Sequence, residues 1–405
     1  MAEDGFGGEN VLAVTVHVVG AGVAGLAAAC TLAEAGEHVV LHEAAKAAGG
    51  RARSYFDPAL GCRIDNGNHL LLSGNFSTMA YLNRVKAGQS LTGPDKPDFP
   101  FVDVASGAHW TLRINAGRLP WWVFSPVRRV PGTRAMDYLA LLRLRRARTT
   151  DLVAPLVGGC GALYDKLLEP LAIAALNTMP DVASAAPLRA VVAETIERGG
   201  AHSVPRWPAV GLSESFVEPA LAYLAAKGAE VRFSSRVTAL EAGQRTVLAV
   251  PPWVAREILP ELTVPDQFEA IANLHFLHEM APGSAGFWGV VGGTAEWVFA
   301  KGKILSVTIS AANRVAEVPN EALAQRVWGD LVRAFGVPAT MPAYRVVREK
   351  RATFAATPAQ LTRRPGTRTV DKNVKLAGDW TDTGLPATIE GAIRSGNKAA
   401  LAFLG

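Results

Sequence analysis

The amino-acid sequence predicts an α/β fold, and three observations carry that prediction. Near the start, a β-branched strand, a glycine-rich turn, an Ala/Leu helix and a second strand follow one another without interruption. Near the end, a short strand at 374–377 runs through Gly378 into a helix expected over about 387–401. Between them, 49% hydrophobic and 19% charged residues in a chain of 405 supply ample material for buried cores and exclude global disorder. That length suggests two or three domains.

The first unit can be read residue by residue. Residues 14–19 form the strand, which ends in Gly20-Ala21-Gly22-Val23-Ala24-Gly25. A helix over 26–35 stops at Gly36, and residues 38–43 form the second strand, closed by Glu43. In this setting G-x-G-x-x-G is a dinucleotide fingerprint. Gly20 permits the tight turn, Gly22 lets a pyrophosphate approach the backbone, and Gly25 lets helix and strand pack closely. At Val23, Ala24 and Gly25 the helix N-terminus offers free N–H groups and a positive dipole end. Glu43 can accept from both hydroxyls of a ribose and would repel a 2′-phosphate, which disfavours NADP. Gly49-Gly50-Arg51 follows at once: Gly50 lets the chain cross a ligand closely, and Arg51 is placed to neutralise a diphosphate.

Residues 11–33 carry no Asp, Glu, Lys or Arg and are long enough to cross a bilayer. Their three glycines, and the change from strand alternation to a helical run, predict strand–turn–helix instead. Residues 1–10, with three acidic and no basic residue, lack the positive start of a signal peptide and are expected to form a flexible tail. Cys30, Cys62 and Cys160 lie too far apart for a disulfide framework or a metal-ligand spacing, which favours a reduced, cytoplasmic setting. His275 and His278 lack an evident third ligand, so no metal site is expected.

At the other end, Pro386 suits a helix start. A second helix N-terminus is therefore expected just after a strand end, where it would stabilise an anionic ring such as a reduced flavin. Asp379, after a glycine that allows close approach, is placed to hold ligand hydroxyls.

Together, Val18-Val19-Gly20-Ala21-Gly22-Val23-Ala24-Gly25-Leu26, Glu43, Gly49-Gly50-Arg51 and Leu376-Ala377-Gly378-Asp379-Trp380 resemble the FAD-dependent amine oxidase and phytoene desaturase superfamily. More narrowly, Asp65-Asn66-Gly67-Asn68-His69-Leu70-Leu71-Leu72, the stretch 348–354 and the stretch 378–392 look like the hydroxysqualene dehydroxylases, also called squalene-associated FAD-dependent desaturases. The resemblance covers most of the chain, from about residue 16 to 404. It implies a Rossmann-type FAD-binding domain (11–90, 205–255, 345–405) interleaved with an α+β substrate-binding domain (91–204, 256–344). It further implies non-covalent FAD, with Asn68, the backbone of Val237, and Ala387, Thr388 and Ile389 joining the cofactor contacts. His69, in the stretch that passes the flavin ring in the family, is the candidate proton donor to a leaving hydroxyl; a structural histidine is the alternative. The one departure is the short connection 241–246 between the strands expected at 231–240 and 247–252, where a hairpin is missing.

The implied reaction is reductive dehydroxylation of hydroxysqualene to squalene, a step toward hopanoids. A carotenoid-type desaturase, an amine oxidase or a non-enzymatic lipid-binding member are the alternatives. With no second G-x-G-x-x-G, electrons are expected from an external donor. Residues 118–150 hold eight Arg against one acidic residue, Asp137, a local charge of +7 in a chain of net charge +5. With Trp121, Trp122 and Phe124 alongside, residues 136–148 are expected to form a basic amphipathic helix on an anionic membrane surface. A solvated helix packed on the core is the alternative, and no nucleic-acid recognition motif accompanies the charge. The expected setting is peripheral, on the cytoplasmic face of the membrane.

Overall fold

The computed structural model of the protein describes residues 15–281 and 283–405. The tail expected over 1–10 and the first residues of the 11–33 stretch lie outside the described residues. The opening unit is β1 (Thr15–Val19), α1 (Val23–Glu34) and β2 (His38–His42). β1 and β2 pair in parallel, Val18 opposite Leu41. Three later strands complete the sheet, in the order Glu230–Arg232, β2, β1, Thr246–Leu248 and Val374–Leu376, all parallel. Leu26, Ala27, Ala28, Ala29 and Cys30 of α1 are all at 0% exposure. The uncharged run is thus apolar because α1 is buried on nearly every side. Among the described residues no helix is long and apolar enough to cross a membrane.

Parallel strands place the helices that follow them at one edge. α1, after β1, and the C-terminal helix Ile389–Leu404, after Val374–Leu376, both start at the carboxyl edge of the sheet. The two helices also touch. A Cβ on Gly396 would come within 2.1 Å of the Ala24 carbonyl, and Thr31 Oγ1 donates to Asn397 Oδ1 at 2.8 Å.

A second, seven-stranded sheet has the order Tyr344–Phe354, Phe268–Leu277, Ile304–Ile309, Trp297–Lys301, Phe287–Val291, Asp98–Asp103 and His109–Arg113. The helix Asn320–Phe335 covers it through Leu323, Val327, Trp328 and Leu331. The hairpin Ser54–Asp57 and Cys62–Asp65 packs on Ile304 and Val347.

Three expectations need correction. The strand expected over 231–240 spans only Glu230–Arg232, because Ser234 takes a positive φ of 52° and turns the chain. The strand expected over 247–252 is Thr246–Leu248, since Pro251 and Pro252 start a helix, Pro252–Ile258. The basic amphipathic helix is not continuous. A 3₁₀ turn at Ala135–Leu139 leads into a single α-turn at Ala140–Leu144, followed by turns. Of the paired tryptophans, Trp122 is buried against Tyr138, with ring centroids 5.0 Å apart, while Trp121 faces out.

Candidate active site

The fingerprint turn and the Gly49–Gly50 turn lie against each other. Gly22 bridges Gly49, and Gly49 N–H donates to the Ala21 carbonyl at 2.8 Å. A Cβ on Gly25 would sit 1.8 Å from the Gly20 carbonyl, so only glycine permits this approach of helix to turn. Gly22 is the opposite case: its Cβ would meet nothing within 4 Å. That open side faces the start of α1, where no side chain caps the free N–H groups of Val23, Ala24 and Gly25. Uncapped donors beside open space are a cradle for a diphosphate. Glu43 closes the other side. Its Oε2 accepts from Ala21 N–H at 2.8 Å and its Oε1 from Ala45 N–H at 2.8 Å. A carboxylate has further lone pairs for ribose hydroxyls.

Arg51 links this half to the C-terminal segment. Its guanidinium donates to the Asp379 carboxylate at 2.6 Å and also to the Ala352 carbonyl. Arg51 and Asp379 are therefore partners before any ligand is considered. Around them, Gly378 N–H donates to Ser395 Oγ on the terminal helix and Trp380 Nε1–H to the Val250 carbonyl just past the strand Thr246–Leu248, which fixes the loop at both ends. Thr388 caps the terminal helix, its Oγ1 accepting from Gly391 N–H at 3.0 Å. Ile389 opens that helix and is buried, and half-buried Ala387 packs in the same apolar cluster as Trp380. Val237 joins this cluster too; it lies beyond Ser235, whose N–H donates to the Glu43 carbonyl at 2.8 Å.

Asn68 and His69 border a buried polar network that no local motif announces. Asn68 Nδ2 donates to Ser306 Oγ at 2.7 Å and to Thr308 Oγ1 at 3.1 Å. Ser306 bonds His275 Nδ1 at 2.8 Å, and Thr308 donates to Asn273 Oδ1 at 2.8 Å. Asn68 Oδ1 and His275 Nε2 are buried without a partner. Beneath His69, Lys301 Nζ and Asp65 Oδ2 form an ion pair at 2.7 Å. Desolvation by the surrounding protein pushes His69 down to about 4, against the pull of Asp65 and helped by Lys301 and Arg51. The ring is uncharged at neutral pH. The sequence signal for this network was the i,i+2 spacing of polar residues, Asn273 with His275 and Ser306 with Thr308, on strands that are otherwise apolar.

These histidines give stability a pH dependence. His275 is 1% exposed, and burial pushes its imidazole down to about 4 from an ordinary 6.5, with Asp65 opposing. Between 6.5 and 4 the unfolded chain takes up a proton that the folded protein refuses, so stability falls as the pH falls through that window. The loss reaches about 3 kcal/mol for His275, with a smaller share from the less enclosed His69. Urea denaturation across this range should show the decline, and His275→Gln should flatten it. An unchanged slope in the variant would exclude His275 as its source.

Taken as a donor set, an uncapped helix N-terminus at the sheet edge, a ribose-competent carboxylate and an orphaned amide oxygen fit FAD. The profile described as "Flavin containing amine oxidoreductase" matches residues 292–403, and that described as "NAD(P)-binding Rossmann-like domain" matches residues 18–85. Among solved structures, cyclohexylamine oxidase from Brevibacterium oxydans aligns with a TM-score of 0.70 at 19% identity, over 96% of this chain and 98% of that one. Putrescine oxidase aligns with a TM-score of 0.68 at 16% identity, over 96% and 99%. At those identities the likeness speaks to the fold. The hydroxysqualene dehydroxylase of Rhodopseudomonas palustris is 48% identical over 95% of this chain and 97% of its own length. The hydroxysqualene dehydroxylase of Zymomonas mobilis is 43% identical over the same shares. With relatives this similar along nearly its whole length, the chain belongs to the hydroxysqualene dehydroxylase family.

Proposed function

We propose that the protein is an FAD-dependent oxidoreductase that removes the hydroxyl group of hydroxysqualene reductively, giving squalene and water. Beyond the relatives' name, one observation supports an isoprenoid substrate. A single apolar cluster runs from Trp122 and Tyr138 in the 118–150 segment, through Leu144 and Leu176, to Phe354 and Trp380 beside the candidate cofactor cleft. A long hydrocarbon needs such walls, and so does an allylic cation that water would otherwise capture. The carbon–oxygen bond breaks as a proton joins the departing hydroxyl, and the carbon gains a hydride whose electrons come from an external donor. FAD, when bound, supplies that hydride. Gly22, the start of α1 and Glu43 hold its dinucleotide half, and Arg51, Asp379 and Thr388 border the rest. His69 gives the proton. Burial holds its ring uncharged at neutral pH, so it would first have to take up a proton, which a negative charge brought beside it would favour.

The chain reads as two interleaved units, with the third cofactor-binding piece starting after Tyr344–Phe354, since that strand pairs with Phe268–Leu277 in the larger sheet. The working site is the cytoplasmic face of a membrane, where the lipid substrate resides. Anaerobic incubation of chemically reduced protein with hydroxysqualene should yield squalene on lipid extraction, and unchanged substrate would overturn the reading. His69→Gln should lower turnover about 10²–10⁴-fold with flavin content intact; wild-type turnover in that variant would remove His69 from the chemistry.

A further inference from the structure

Residues 118–148 carry an exposed apolar crest. Trp121 and Phe124 are each 65% exposed, Val127 76% and Met136 69%; Leu139 and Leu142 are close to half exposed. Such side chains exposed in one stretch are unusual on a soluble surface. The segment is nonetheless well anchored. Trp122 and Tyr138 meet edge to face underneath, and the Tyr138 hydroxyl accepts from Val130 N–H at 2.9 Å. Arg113 N–H donates to the Arg128 carbonyl at 2.9 Å, tying the segment to the edge strand of the large sheet. The inward faces of the turns Trp121–Phe124 and Ala135–Leu139 therefore meet each other, and Trp121, Phe124, Met136 and Leu139 are left facing outward.

The charge around the crest is equally unspent. Arg145 pairs with Glu197 and Arg134 lies near Asp137. Among the described residues the guanidinium groups of Arg118, Arg128, Arg143, Arg146 and Arg148 have no carboxylate partner; the Arg148 contact to Asp151 is through its backbone N–H. Beside the crest, a cleft of about 500 Å³ is lined by His109, Trp110, Arg113, Val127, Arg129 and Trp288, a basic and aromatic wall suited to a headgroup phosphate.

We propose that this crest docks the protein on an anionic bilayer leaflet, with the apolar side chains inserted at the interface and the unpaired arginines on the headgroups. An anchored apolar crest with unpaired cations in the same segment matches a surface that is apolar within and negative at its boundary. A protein partner or a second copy of the chain would satisfy the apolar crest but would need its own source of negative charge. The buried side of the segment belongs to the cluster that reaches Trp380, so docking sets the membrane against the wall of the proposed substrate path. The inference goes beyond the substrate assignment, and binding to lipid is read without substrate, so either can fail alone.

The test is co-sedimentation of the flavin-loaded protein with vesicles of phosphatidylcholine alone or mixed with phosphatidylglycerol. Wild type should bind the mixed vesicles and release in high salt. Each arginine near the leaflet strengthens binding about fivefold, so Arg143→Gln/Arg146→Gln/Arg148→Gln should weaken it about a hundredfold. Trp121→Ser/Phe124→Ser should weaken binding to both compositions, whereas Val370→Ser, at an exposed apolar residue outside the segment, should not. Flavin content and thermal midpoint serve as the check on folding. Wild type left in the supernatant with mixed vesicles at low salt, or crest variants that sediment like wild type, would overturn the proposal. So would a lipid-free dimer that these same variants dissociate.

Discussion

Gly22→Val should give a folded protein that carries no flavin. The residue sits at the N-cap of α1 with φ −69° and ψ 173°, an extended backbone open to any amino acid, and its Cβ direction is empty to 4 Å. Valine is thus accommodated by the protein but fills the space over the uncapped N–H groups of Val23, Ala24 and Gly25. The cost to the fold is limited to a poorer cap, about 1 kcal/mol. The cost to cofactor binding is loss of the phosphate hydrogen bonds, which are charge-assisted, and steric exclusion besides, more than about a hundredfold in affinity. Wild type should release its yellow colour to the supernatant on acid precipitation, as a non-covalent flavin does. Full flavin absorbance in the purified valine variant would refute the cradle described above.

Lys301→Met should destabilise the protein by about 3–5 kcal/mol, the range for a buried ion pair stripped of one partner. The Asp65 and Lys301 side chains are 4% and 11% exposed. Burial alone would raise the Asp65 carboxyl, but Lys301, Ser54 Oγ and Leu212 N–H overcome it and hold the group below its ordinary value. Removing the lysine leaves the desolvation and takes away the largest compensation. The penalty should be full above the ordinary carboxylate range and shrink as the pH falls through it, because a group with a lowered folded pKa contributes stability only while it is ionised. Asp65→Asn combined with Lys301→Met should recover part of the loss. Guanidinium unfolding of wild type and the two variants checks this, and a Lys301→Met variant within about 0.5 kcal/mol of wild type would mean water reaches Asp65 freely.

The parts of the candidate site that could be read in the sequence are the parts built locally. Gly20 to Gly25, Glu43 and Gly49 to Arg51 lie in or directly beside one strand–helix–strand unit, most of them in the turns at its carboxyl edge, so their order in the chain is nearly their order in space. The same holds for Gly378, Asp379 and Thr388. What joins the two groups was not legible: the Arg51–Asp379 pair spans 328 positions. Asn273, His275, Ser306 and Thr308 meet only through the register of an antiparallel sheet, in which His275 faces Ser306 and Asn273 faces Thr308, and Asn68 reaches them from outside it. The basic segment misled for a different reason. Its Leu and Arg spacing suits a helix, but the chain takes a 3₁₀ turn at Ala135–Leu139, where Tyr138 packs edge to face on Trp122, a contact from outside the 136–148 stretch.

The contact between Gly396 and Ala24 has a consequence for biogenesis. The helix that borders the candidate cofactor cleft is synthesised more than three hundred residues after α1, on which it docks. Until then the small, apolar face of α1 opposite Gly396 has no cover, and the sheet lacks its edge strand Val374–Leu376. The cleft can therefore form only once both segments have been made, by closing a loop of more than three hundred residues. A nascent chain in that condition presents the uncovered face of α1 to chaperones and proteases until the later helix arrives.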